Sequence, residues 1–157
     1  MKADEVARAV DVFQPLLMQQ VDLKSIYFSV ANFDETKTTR EFFGDIPRAA
    51  AAANSLVKSW TWGLLSAGDC ACADARLVIT SDGGLGFSSS LTSSDLGDDS
   101  WGILHFDFYQ NNGVLLWTSG QFWSPTIVSV GQQFTFSSGF PKYLFNDISH
   151  VWMAYHC

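Results

Sequence analysis

The sequence predicts an all-β domain, an antiparallel β-barrel or barrel-like sandwich of roughly six to eight strands, preceded by a helical N-terminal segment. Three observations carry this. Charge divides the chain: residues 1–48 hold 6 basic and 8 acidic side chains, whereas residues 49–157 hold 3 basic and 8 acidic ones, all aspartate. No glutamate follows Glu41; glutamate favours helices, while aspartate favours turns and caps. Short apolar runs then recur through the second region, separated by Gly, Asp and Asn clusters. Finally, aromatic residues make up 15% of the chain, including 6 Trp and 13 Phe, and most lie in this region. The predicted division is a helical lid or arm over 1–55 and a β domain over 56–157.

The elements follow in order. Val6, Val10, Phe13 and Leu17 keep helical spacing, with Asp4 and Glu5 suited to the N-terminus of that helix and Pro15 kinking or splitting it. Residues 23–30 read as a short strand, and Asn32 to Arg40 as a polar stretch. Pro47, followed by five alanines from Ala49, starts a second helix that runs on to Leu56 and Val57. Ser59–Trp62 begins the β region. Residues 75–91 read as a hairpin turning at Ser81-Asp82-Gly83-Gly84, whose residues tolerate positive φ. Trp101–Tyr109 alternates, with Trp101, Ile103, His105, Asp107 and Tyr109 on one face and Leu104, Phe106 and Phe108 on the other. A turn at Gln110–Gly113 leads to Val114–Trp117. Trp123, Ile127, Val128, Phe134 and Phe136 mark two further strands, and Ile148–Tyr155 is the last.

Composition narrows the function. The 157 residues amount to one domain, and the net charge of -7 opposes a nucleic-acid backbone. No run of 18 apolar residues is present, so no transmembrane segment is expected. The acidic start lacks the pattern of a secretory signal, which points to a cytoplasmic protein unless a leader was removed. The three cysteines, Cys70, Cys72 and Cys157, fit either three reduced thiols or one bridge from Cys157 to Cys70 or Cys72.

Chemistry rests on the alternating strand. Side chains two apart on one strand are ~7 Å from each other, so His105 and Asp107 can reach one ligand as general acid and base, with Tyr109 beside them. Trp101, Trp117, Trp123, Phe134 and Trp152 are the candidate lining of an apolar cavity. No nucleophile elbow or phosphate loop occurs. The acidic loop of Asp95, Asp98 and Asp99 departs from EF-hand spacing, so neither a metal nor a cofactor is expected.

Several landmarks resemble an uncharacterised family of small bacterial all-β domains: Trp60-Thr61-Trp62-Gly63, Gly68-Asp69-Cys70, Ser81-Asp82-Gly83, Ser93-Ser94-Asp95, Trp101, Phe122-Trp123-Ser124-Pro125 and His156-Cys157. The resemblance spans residues 60–157. It implies an all-β domain and pairing of Cys70 with Cys157, and it transfers no catalytic residue.

The expected function is binding of a small hydrophobic molecule in an aromatic-lined barrel, extending to a cofactor-independent cyclase or isomerase with the N-terminal segment as lid. That expectation is an analogy of architecture. The alternative is a non-catalytic binding domain that recognises a protein or glycan partner. The low charge of the β region also suits a homo-oligomer interface.

Overall fold

A computed structural model describes residues 26–38, 41–42 and 55–157. These residues form two antiparallel sheets stacked face to face. The first sheet contains β1 (Tyr27–Val30), β7 (Gly102–Tyr109), β8 (Leu115–Thr118), β9 (Phe122–Trp123) and β11 (His150–His156). Its order is β1-β11-β7-β8, with β9 also pairing with β7. The second contains β2 (Asn32–Thr38), β3 (Leu56–Thr61), β4 (Leu65–Ala67), β5 (Cys70–Thr80), β6 (Gly84–Ser93) and β10 (Gln132–Gly139). Its order is β10-β6-β5-β3-β2, with β4 pairing with β5.

Of the two expected forms, barrel and barrel-like sandwich, the structure is the sandwich. Among the described residues β1, β8, β2 and β10 each have a neighbour on one side only, so the sheets do not close. The space between them is packed with aromatic rings. Phe87 lies 5.6 Å from Phe106 and 5.3 Å from Phe136, and Phe122 stacks on Phe136 at 4.1 Å. Offset and edge contacts at such distances make interdigitation of rings favourable.

The expected helices over residues 6–21 and 47–54 lie outside the described residues. Leu56 and Val57 belong to β3 instead of the end of a helix, and Asn32–Thr38 is a strand instead of a polar connection. Both changes have one cause: β3 pairs with β5 on one side and β2 on the other, and that pairing outweighs local preference. Strands thus extend back to Tyr27, one in each sheet. Ile127 and Val128 lie in the loop before β10.

The hairpin of β5 and β6 turns where the sequence predicts. Gly83 adopts φ +101°, and Gly84 N–H is held at 2.9 Å by Thr80 Oγ1. Bulges shape the rest. β5 is interrupted between Ala73 and Arg76, where Asp74 sits at φ +55°. In β7, Ala154 pairs with His105 but Tyr155 pairs with Ile103, so Leu104 is the extra residue. A one-residue insertion reverses the facing of everything beyond it. Ile103, Phe106 and Phe108 consequently all reach the inter-sheet core, while Leu104 packs with Ala154, Phe28 and Ile26 on the other face. The expected sharing of a face by Trp101, Ile103 and His105 fails for this reason.

Cys70 and Cys157 form a disulfide with a Cα–Cα distance of 6.0 Å. It joins the start of β5 in one sheet to the residue after β11 in the other. Cys72 is a buried free thiol.

Candidate functional site

His105 and Asp107 come together on the outer face of the first sheet, away from the inter-sheet core. His105 Nδ1 is 3.0 Å from Asp107 Oδ1, and both residues are only 3% exposed. Thr118 on β8 donates its hydroxyl to the same oxygen at 2.8 Å. With a carboxylate accepting, the imidazole donates through Nδ1–H, so Asp107 fixes the orientation of the ring. Tyr109 lies on this face two residues along, and Trp152 stands opposite Asp107 on β11. The ring of Phe28 is 6.3 Å from that of His105. Thr118 had no signal in the sequence, because only the β7–β8 register brings it to Asp107.

The remaining candidate aromatics disperse. Trp101 is fully buried and stacks on Tyr155 at 5.0 Å, and Phe134 is part of the inter-sheet core. Trp117 packs on Phe108 at 5.4 Å. Trp123 is half-exposed and lies flat over Gly102, where a Cβ would overlap its ring. Trp101, Phe134 and Trp117 are thus packing residues of the sandwich, and Trp123 lies at its surface.

A cleft of about 310 Å³ opens elsewhere, lined by Phe33, Lys58, Asn111, Asn146, Asp147, Ile148 and Ser149. Four separate stretches build it: β2, β3, the turn after β7, and the end of the 3-10 helix Lys142–Asp147 with the residues that follow. Its floor is organised by β3. Lys58 Nζ donates to the carbonyls of Phe145 at 2.7 Å, Ile148 at 3.0 Å and Asn146 at 3.4 Å. Trp60 Nε1–H donates to the carbonyl of Ser149 at 3.3 Å. Burial pulls the Lys58 ammonium below its ordinary range, and the nearby Asp147 carboxylate partly offsets this. With its three N–H groups directed at carbonyls, the ammonium is a structural clamp rather than an open charge. Above the floor, Phe33 is 51% exposed, with its edge supported by Trp60 at 5.5 Å. Asn111, Asn146 and Asp147 are exposed beside it. The cleft therefore presents one ring face, two carboxamides and a carboxylate. Only Phe33 and Trp60 have the residue type that marks a ligand site in a sequence; the polar members look like ordinary turn residues.

At the opposite end of β5 the carboxylates of Asp69, Asp95 and Asp99 lie within 4.8 Å of one another. Asp98, then burial, Asp99 and Asp69 push the Asp95 carboxyl above its usual range.

A family model for a family of unknown function (DUF6294) matches residues 76–157, just over half of the chain. The chain belongs to that family. The match takes in the landmarks Ser81-Asp82-Gly83, Ser93-Ser94-Asp95, Trp101, Phe122-Trp123-Ser124-Pro125 and His156-Cys157. No curated protein and no solved structure matches the chain. No helix among the described residues is long and apolar enough to cross a membrane.

Proposed function

We propose that this domain is a non-catalytic binding module whose cleft takes a glycan. The carrying observation is the exposed Phe33 ring set beside Asn111, Asn146 and Asp147 over a floor held by Lys58. A sugar ring has an apolar face of C–H groups and an equator of hydroxyls. An exposed aromatic face accepts the first, since such rings bury area while keeping a defined geometry. Carboxamides donate and accept, and a carboxylate accepts from two hydroxyls, so together they can pair with vicinal hydroxyls. Engagement of the cleft's lysine by backbone carbonyls argues for a neutral ligand over an anionic one. The inter-sheet space supports the same reading from the other side: it is packed with rings, and that removes the barrel lumen in which a small hydrophobic ligand was expected.

The second reading keeps the small hydrophobic molecule and isomerase chemistry, and moves them to the outer face of the first sheet. What favours it is the chain of Thr118 hydroxyl, Asp107 carboxylate and His105 imidazole, the arrangement in which a carboxylate orients a histidine to act as general base.

One comparison separates the two. Affinity electrophoresis of the full chain through gels containing neutral polysaccharides is expected to show retardation that Phe33→Ala and Asn146→Ala abolish and His105→Asn leaves intact. No retardation by any neutral polysaccharide, together with His105-dependent deuterium incorporation into apolar enolisable ketones, would replace the glycan reading with the catalytic one.

A further inference from the structure

The end of the sandwich remote from the cleft has a second surface, and it does not depend on the glycan reading. Two loops meet there, residues 94–99 and residues 124–131. They are tied backbone to backbone: Gly97 N–H donates to Ile127 O at 2.8 Å, and Ile127 N–H donates to Asp99 O at 2.8 Å. Each loop is also braced internally. Ser93 Oγ donates to Asp99 Oδ2 at 2.8 Å and accepts from Asp95 N–H at 3.0 Å. Gln132 accepts from Val128 N–H at 2.9 Å and donates to the Thr126 carbonyl at 3.2 Å. Ser94 N–H donates to Asp69 O at 2.9 Å, joining the turn before β5 to the same end.

These braced loops hold three aliphatic side chains in water: Leu96, Val128 and Val130, the last 78% exposed. Scattered apolar residues on a surface are ordinary, but these three sit on two loops that backbone hydrogen bonds hold side by side. Around them stand Asp69, Asp95, Asp98 and Asp99. Among the described residues no ion pair involves these carboxylates. The loops themselves carry no basic side chain, because residues 77–141 contain no Lys or Arg. Mutual crowding of the carboxylates is already costly enough to raise the Asp95 carboxyl.

We propose that loops 94–99 and 124–131 form a docking surface for a cationic protein segment that carries apolar side chains. Leu96, Val128 and Val130 would be covered by its apolar residues, and Asp69, Asp95 and Asp98 would face its lysines or arginines. Charge complementarity selects this partner: exposed aliphatic side chains beside carboxylates that make no ion pair among the described residues disfavour an acidic surface and attract a basic one. The loops are ordered before contact, so little conformational freedom is lost on docking.

The test uses the full chain and a labelled amphipathic helical peptide of lysine and leucine, followed by fluorescence anisotropy. Two control peptides replace leucine with serine or lysine with glutamate. Saturable binding of the Lys/Leu peptide alone is expected. Both L96S/V128S/V130S and D95N/D98N, confirmed folded by circular dichroism, are expected to weaken it at least about tenfold, a difference of ~1.4 kcal/mol. Absence of binding, equal binding of either control peptide, or retention of affinity by either variant would overturn the proposal. The cleft variant Phe33→Ala is expected to bind the peptide unchanged, so this surface and the glycan reading can fail separately.

Discussion

Cys72 shows how much one buried side chain can report. Burial pushes its thiol from an ordinary value of 9.0 up to about 11, against a smaller opposing pull from the Ser89 hydroxyl. The unfolded chain therefore gives up this proton first. As pH rises from 9 to about 11 the unfolded state binds fewer protons than the folded one, and stability must fall. Tyr155, raised chiefly by burial, adds to the loss at the upper end of this window. Urea unfolding is expected to show a midpoint that declines across that range, with a shallower decline in Cys72→Ala; an identical pH slope in the variant would contradict the assignment. The residue pattern alone leaves Cys70 and Cys72 as equivalent candidates for pairing with Cys157, and only the family resemblance points to Cys70, the cysteine that is bridged. The two sit two apart on one strand and so share a face, and in the fold the position of β11's end selects Cys70. Gly102 is a similar case. Its lack of a side chain gains meaning only once β9 pairs with β7 and lays Trp123 over it.

At the scale of elements, the disulfide staples one sheet to the other across a sequence separation of 87 residues. Closing so long a loop restricts the unfolded chain, and its removal is expected to cost about 4–5 kcal/mol in chain-entropy terms. The double variant C70S/C157S should show this loss in denaturant unfolding. Amides near the Ile103–Tyr155 pairing should lose hydrogen-exchange protection before those near Phe108–Val151, since the staple holds the first end of the β7–β11 ladder. Equal loss of protection at both ends would mean that the bridge acts on the unfolded state alone. The hairpin of β5 and β6 was legible in the sequence because a local turn signal, Ser81-Asp82-Gly83-Gly84, sits between two apolar runs. β2 was not. Its residues Asn32–Thr38 are mostly polar and exposed, and Asp34, Glu35 and Lys37 give it the charged character of a protected sheet edge. Its strand conformation comes from β3, not from its own composition.

The whole molecule is held by one aromatic layer to which both sheets contribute. Phe87 on β6 contacts Trp62 and Phe134 as well as Phe106 across the sandwich. Phe87→Ala is expected to cost about 3–5 kcal/mol, because the surrounding rings can only partly collapse into the space. Amide and near-ultraviolet aromatic signals should move together through one transition in both the native chain and the variant. Separate transitions would show that the sheets are independently stable. The all-β class, the approximate positions of most strands, the hairpin turn and the membership of a family of unknown function were all determined by the sequence. Those properties rest on local alternation, turn chemistry and short landmarks that neighbouring residues carry by themselves. Tertiary structure alone decided that the sheets stack without closing, that a single bulge at Leu104 turns His105 and Asp107 away from Trp101, and that Phe33, Lys58, Asn111 and Asn146 meet in one cleft. Each of these depends on register between strands distant in the chain, and a shift of one residue reverses which face a side chain occupies.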